Sequence, residues 1–453
     1  AENVGVDVME AIDAANFDYP RNSIAKPGPV SGYCLGKDPY IFEYAFREAE
    51  LSRNFNSLWY QSVQSSKFLL DHIYKIINFY YPKCIDKKYG GYINQFYDDG
   101  EIADYDTKHI VGTCRFIYNF STCYNLFKNN DFAEAAKHGL KFLYNNHKRK
   151  DGSYIWVMDK DQISDKTRHC YGMAFVLLAY AIATKYKIEE EDNKNKIYET
   201  FNFLENYFFE KKFGMYVDVI DGDNFNTIDS YRGQNANMHL CEALLCCYEA
   251  TRDTVFLKRA KNIANKICND LTYKDNYVWE HYNENWEHDW EYNINDPKHL
   301  FRPYGFLPGH FFEWAKLLMN IYRHDNENWL IKKSEALFDI SITNSWDKKN
   351  GGIFYTFDRE KKILDTDKYY WVHSEMIAAA AGLHKLTGNR MYLEWYDRCW
   401  EYVIQNFSDE KYGGWYRVLN VKNEKYDNYK SPPAKTDYHP IAACSEALLY
   451  LKF

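Results

Sequence analysis

The chain has 453 residues, 26% of them charged, and a formal net charge of −8, which is length enough for two ordinary domains or one large repeat barrel with a substantial core. The charge lies in short mixed stretches such as Glu189-Glu190-Glu191-Asp192, with no long basic run to track phosphates, so nucleic acid is excluded as an expected partner. The longest apolar stretches, including Ala174 to Ala183 and Met376 to Leu383, fall short of the roughly 20 residues that cross a bilayer. No signal-peptide pattern opens the sequence, and eleven cysteines without a paired CxxC framework are expected to be reduced thiols in a cytoplasmic protein. The unusual feature is 42 Tyr, 29 Phe and 12 Trp, a supply of rings whose apolar faces and polar edges suit a sugar.

In chain order, residues 1–55 stand outside any period, carry Pro27-Gly28-Pro29 and are expected to form an N-terminal arm, with residues 56–453 as a single barrel domain. A hidden repeat then begins. Short Gly- and aromatic-rich strand pairs recur at Tyr89-Gly90-Gly91-Tyr92, Asp151-Gly152-Ser153-Tyr154, Phe213-Gly214-Met215-Tyr216, Asp275-Asn276-Tyr277-Val278, Gly351-Gly352-Ile353-Phe354 and Tyr412-Gly413-Gly414-Trp415. One step is longer than the rest, and the excess coincides with His281 to Leu300, which reads as an inserted loop. Between strand pairs lie two helical patterns each, joined by polar turns such as Lys128-Asn129-Asn130, Thr251-Arg252-Asp253, His324-Asp325-Asn326 and Thr387-Gly388-Asn389. The first helix of a pair is apolar nearly all round, as in Ile377-Ala378-Ala379-Ala380-Ala381, whereas a second helix such as Phe256 to Ile267 carries a charged face. The expected fold is therefore all-α: an (α/α)6 barrel, or toroid, of six helical hairpins with short β-hairpins between the units. Ring closure is favoured over an open solenoid because neither end carries a polar capping repeat.

Every unit places a histidine near the start of its inner helix: His109, His169, His239, His310, His373 and His439. One such histidine is usually a packing or capping residue, but six in register, gathered at one mouth by ring closure, point to a site. Helix starts also present free N–H groups and positive potential. Glu242 follows His239 and Glu313 follows His310 at i,i+3, where side chains meet. Glycoside hydrolysis asks for two carboxylic residues flanking the bond, and the aligned positions offer imidazoles instead. Zinc is disfavoured by the lack of HExxH and of any i,i+4 histidine pair here. Proton abstraction next to a sugar carbonyl fits better, because an imidazole both takes and returns a proton near neutrality. Arg115, farther along the first inner helix, is a candidate to meet the charge that develops.

The runs Tyr231-Arg232-Gly233-Gln234-Asn235-Ala236-Asn237-Met238-His239, Asn295-Asp296-Pro297-Lys298-His299-Leu300-Phe301-Arg302, Pro308-Gly309-His310-Phe311-Phe312-Glu313-Trp314, Tyr370-Trp371-Val372-His373 and Lys435-Thr436-Asp437-Tyr438-His439 resemble the N-acylglucosamine 2-epimerase superfamily, within it most closely the mannose isomerase branch. The resemblance covers roughly residue 56 to the end. It implies a metal- and cofactor-free aldose–ketose isomerase acting on mannose and fructose through a cis-enediol, with sugar 2-epimerisation as the alternative; a monomer or homodimer is expected, the sequence not choosing between them. Carried over by position, it implies that His310 and His439 are the acid/base pair, that Glu313 tunes His310, that His239 assists ring opening, and that Arg115 binds the O1/O2 region. It further implies that Asn235, Tyr171, Trp371, Arg302 and Lys435 line the sugar pocket, and that His109, His169 and His373 do not act. Leu300 stands where the sulfosugar isomerase branch has the first arginine of an Arg-Phe-Arg run, which removes an anchor for a sulfonated substrate.

Overall fold

The computed structural model describes residues 63–274, 276–299 and 301–451; the expected arm over residues 1–55 and the boundary at residue 56 lie outside them. Twelve α-helices occupy the described residues, alternating between two rings. They are α1 (Ser66–Tyr80), α2 (Ile110–Phe127), α3 (Asn130–Phe142), α4 (Cys170–Lys185), α5 (Glu190–Phe203), α6 (Gln234–Thr251), α7 (Thr254–Asn265), α8 (Pro308–Tyr322), α9 (Asn328–Ser345), α10 (Tyr370–Thr387), α11 (Arg390–Asn406) and α12 (Tyr438–Tyr450). The even-numbered helices α2, α4, α6, α8, α10 and α12 all bury most of their length. Residues 172–184 of α4 and 370–383 of α10 are buried without a break, which places them in the inner ring. In α7, by contrast, only Phe256, Ala260, Ile263 and Ala264 are buried, a single stripe that faces the inner helices while the charged remainder faces water.

The polar turns do what their residues dictate. Lys128, Arg252 and Gly388 take left-handed backbone conformations that stop α2, α6 and α10. Immediately after them Asn129, Asp253 and Asn389 accept hydrogen bonds from backbone N–H groups of Asp131, Val255 and Met391 and so start the next helix. Six recurrent motifs form miniature hairpins after the outer helices, from the Ile85–Tyr92 bridge through the Thr272–Tyr273/Tyr277–Val278 pair to the Ser408–Trp415 bridge. No described helix is long and apolar enough to cross a membrane.

Strand pairing between units closes the ring. The chain entering each inner helix pairs with a strand of the following unit: Thr107–His109 with Val157–Asp159, Arg168–His169 with Val219–Ile220, Arg232–Gly233 with His281–Tyr282, Phe306 with Phe357, and Lys368–Tyr369 with Val418–Leu419. The sixth junction returns to the first unit, Tyr429–Ser431 pairing with Gln95–Tyr97. Helix α12 packs on α1 and α2 as well as on α10, so the C-terminal helix completes the hairpin that α1 opens. These junctions put all six inner-helix starts at one mouth.

The same chain segments carry a second repeat. In five units a cation ahead of the inner helix reaches an acid at the preceding outer-helix end: Lys108 to Asp86 at 2.6 Å, Arg168 to Asp151 at 2.7 Å, Arg232 to Glu210 at 2.9 Å, Lys368 to Asp347 at 2.9 Å and Lys430 to Asp409 at 2.7 Å. The fourth unit has Phe306 at the corresponding place.

Candidate active site

The mouth gathers imidazoles from three inner helices, each held by a carboxylate at Nδ1. His439, second residue of α12, lies 2.7 Å from Glu375 Oε1 on α10. Its Nε2 faces Arg115 Nη2 at 3.4 Å. A guanidinium only donates, so Nε2 is the acceptor edge and Nδ1–H donates to Glu375. His310, third residue of α8, lies 2.9 Å from Glu280 Oε2, and the Gln234 amide donates to the same oxygen at 2.8 Å. The Gln234 orientation is fixed because its Oε1 accepts from Trp314 Nε1 at 2.7 Å. The Gln234 amide nitrogen also lies 2.9 Å from His310 Nδ1, so Nδ1 sits between an amide that only donates and a carboxylate that only accepts; the charged Glu280 is the stronger partner and takes the Nδ1 proton, which leaves Nε2 as the basic edge. His239 on α6 meets Glu242 Oε2 at 3.2 Å, as the i,i+3 spacing predicts.

The structure differs from the expectation that Glu313 tunes His310. Glu313 instead approaches His239 Nδ1 at 3.7 Å and Lys316 Nζ at 3.9 Å, and neither of its buried oxygens has a hydrogen-bond partner. The reason is directional: His310 turns towards the strand end that carries Glu280, while Glu313, one turn on, faces His239 and Lys316. Burial and then the Glu375 charge push the Glu313 carboxyl well above its ordinary range. Lys316 sits among three glutamates, 2.7 Å from Glu375, 3.6 Å from Glu242 and 3.9 Å from Glu313. Two groups, His239 with Glu242 and Glu313, and Glu313 with Glu375 and His439, bring metal-capable donor atoms within 4.8 Å. The positive charge those carboxylates face is the Lys316 ammonium, whose pKa is raised by Glu375, Glu242 and Glu313 against the effect of burial.

Trp371, first turn of α10, ties the two halves together. Its ring centroid lies 5.3 Å from His310 and 5.6 Å from His439. Gly309 makes that approach possible, because a Cβ there would lie 2.5 Å from the indole. Lys435 stands over the same indole at 5.6 Å; burial, then the Arg115 charge, lowers its pKa to about 7. Arg115 is fully enclosed, donating to Ala434 O at 2.6 Å and to Tyr171 OH at 3.2 Å, with its guanidinium over the Phe175 and Tyr438 rings. Tyr171 presents its ring to His239 at 5.0 Å, and Asn235, beside Gln234, leaves Oδ1 enclosed and unpartnered. Arg302 donates to Tyr292 at 2.7 Å and stacks 3.8 Å over Tyr231, fastening the inserted loop.

The other three histidines have structural partners. His109 accepts from Val111 N at 3.1 Å and caps α2. His169 stacks on Trp156 at 4.0 Å. His373 accepts from Ile353 N at 3.0 Å and bonds Tyr369 O at 2.9 Å. The sequence reading missed Glu280, Glu375, Gln234 and Lys316. Glu375 had a signal, a carboxylate on the α10 stretch that is otherwise apolar; Glu280 had only its place beside the inserted loop.

Carboxylate-backed imidazoles facing a guanidinium and an amine in a helical toroid define an enzyme that moves protons on a small oxygenated substrate. The N-acylglucosamine 2-epimerase family pattern matches residues 91–443, and the chain belongs to that family. A D-mannose isomerase from Marinomonas mediterranea is 44% identical over 391 residues, covering 86% of this chain and 98% of its own. A crystal structure of D-mannose isomerase, 44% identical, superposes with a TM-score of 0.83 over 85% of this chain and 98% of its own. A cellobiose 2-epimerase from Ruminococcus albus is 23% identical over 401 residues, 84% of this chain and 96% of its own.

Proposed function

We propose that the protein is an aldose–ketose isomerase that interconverts D-mannose and D-fructose. The observation that carries this reading is the pair His310 and His439, each bound to a carboxylate through Nδ1 and each packed on Trp371. Likeness to a D-mannose isomerase over nearly the whole of that relative supports the sugar. After ring opening, one Nε2 removes the proton from C2 of the open-chain aldose. The C2–H electron pair becomes the C1–C2 double bond, and the carbonyl π pair moves to O1, which is protonated to give the cis-enediol. Loss of the O2 proton then forms the ketone, and a proton is delivered to C1. Arg115 supplies positive charge to the O1/O2 region as the enediolate forms, and Lys435 lines the pocket beside it. His239, with Tyr171 and Asn235 beside it, is placed to assist ring opening. The burial of all ten cysteines found among the described residues supports reduced thiols, in keeping with a cytoplasmic enzyme, monomeric or dimeric, acting on free monosaccharide.

The test is incubation with D-mannose in D2O followed by NMR. Fructose carrying deuterium at C1 is the expected product. Glucose without fructose would replace isomerisation by 2-epimerisation, in which the same enediolate is reprotonated at C2 from the opposite face. No turnover of any neutral hexose would reject the substrate class.

A further inference from the structure

Behind the imidazoles and their carboxylates stands an ammonium, Lys316, that the reaction scheme does not use. Glu375 gives Oε1 to His439 at 2.7 Å and Oε2 to Lys316 at 2.7 Å. Glu242 repeats the arrangement, Oε2 to His239 at 3.2 Å and Oε1 to Lys316 at 3.6 Å. One ammonium therefore joins two histidine–glutamate pairs carried by α6, α10 and α12 across α8. Lys316, Glu313 and Glu375 are 4%, 1% and 1% exposed, so solvent does little to screen the cluster. We propose that Lys316 is a positioning residue for the isomerisation: through Glu375 and Glu242 it fixes His439 and His239 and keeps both imidazoles neutral, with Nε2 free to accept a proton.

The argument is one of charge. The Lys316 ammonium meets Glu375, Glu242 and the Glu313 carboxyl, the last pushed towards its neutral form by burial and by Glu375, and Glu446 on α12 is close enough to raise Glu375 further. Remove the ammonium and the negative cluster is relieved by protonating the imidazoles it touches, which turns Nε2 from acceptor to donor and abolishes the base. The charged groups acting on His439 come from every side. Burial lowers its pKa most, then Arg115 on α2, Lys435 ahead of α12, His239 on α6 and Lys316 on α8, against Glu375 on α10. Burial lowers His239 to about 4, with Glu242 opposing and Arg115 and His310 assisting. Lys316 is the cation acting on His439 that also touches both backing glutamates.

This rests on the isomerase reading, so the experiment separates the two. In full-length enzyme, Lys316→Met is compared with Lys316→Arg, which keeps the charge. Lys316→Gln, a polar side chain of similar reach without the charge, serves as a second neutral variant should Lys316→Met not fold. The pH profile of kcat/KM on mannose is measured together with 15N NMR titration of labelled histidines, assigned with His239→Gln and His439→Gln. The expected result in the neutral variants is an acidic limb moved to higher pH by about one unit or more, hence about tenfold lower activity on that limb with recovery at higher pH, and His239 and His439 titrations moved upward by a similar amount. Lys316→Arg leaves both readouts near wild type. An unmoved limb and unmoved imidazole titrations in whichever neutral variant folds would overturn the proposal. Moved titrations in a protein whose wild type does not turn over mannose would keep Lys316 as the residue that holds the two imidazoles neutral and reject the isomerase reading.

Discussion

At the residue scale the site is a set of tautomer assignments. An imidazole is a base at one nitrogen only when the other holds a proton, and here the holder is a carboxylate in each of three cases. For His310 that holder is Glu280, so Glu280→Gln removes a charge-assisted bond while keeping shape and volume. A bond of this kind contributes about 1.5–3 kcal/mol; realised in the transition state, its loss lowers kcat about 10- to 100-fold, with KM for mannose and the melting temperature little changed. Steady-state kinetics beside thermal unfolding check this, and an equal fall in stability would assign Glu280 to the fold instead. Replacing His310 itself by Ala lowers kcat by about 10²–10⁴-fold. The histidines were legible in the sequence because a repeat puts them in register, whereas their carboxylates were legible only where partner and imidazole share a helix, as His239 and Glu242 do. Glu280 lies 30 residues before His310 and Glu375 lies 64 before His439; only ring closure brings such pairs together.

At the element scale, each helical hairpin is cheap to specify locally and depends on its neighbours to stay in place. Turn residues such as Lys128-Asn129 and Gly388-Asn389 stop one helix and cap the next, so the hairpin pattern was visible from sequence. The cations of the ion pairs that pin the chain entering an inner helix stand visibly ahead of five helix starts, but the acid each one meets lies 17 to 22 residues earlier, and only the fold brings the two together. Asp409 is typical: burial would raise its carboxyl, yet the Lys430 bond and the Tyr412 and Lys411 N–H groups outweigh it and hold the pKa low. A depressed carboxylate contributes stability in full above its unfolded pKa of about 3.9 and loses it as pH falls through the lower folded value. Lys430→Met leaves Asp409 buried without its cation and destabilises the fold by about 3–5 kcal/mol at neutral pH. The deficit shrinks as acid protonates Asp409, which urea unfolding at pH 7 and near pH 3 measures; a deficit that stays constant with pH would show that lost packing against Phe79, and not the ion pair, is what the strut supplies.

At the scale of the whole molecule the seam between last and first units is also part of the site. The loop that pairs back onto Gln95–Tyr97 continues through Pro433, Ala434 and Lys435 to His439. It is fastened to α2 by Arg115 donating to Ala434 O and Asn119 donating to Thr436 O at 2.8 Å. Thr436 and Asp437 hold left-handed backbone angles there, an uncommon conformation for a β-branched residue that persists when its surroundings fix it. The close approach depends on Gly112, where a Cβ would come within 2.3 Å of Pro433 O. The period along the chain showed that six units exist, but not that closing them aligns one unit's loop against another unit's arginine, since that contact spans more than 300 residues. Gly112→Ala forces the loop away from α2, at an overpacking cost of about 1–3 kcal/mol, and carries Lys435 and the start of α12 with it. The expected outcome is a folded enzyme whose kcat/KM on mannose falls further than its stability does, because His439 and Arg115 no longer share one geometry. Alanine at Gly214, where no atom lies within 4 Å of the added Cβ, meets only the strain of its positive φ and leaves kcat/KM intact. If Gly112→Ala were as active as Gly214→Ala, the seam would be a matter of folding alone and the catalytic geometry would be set within the units.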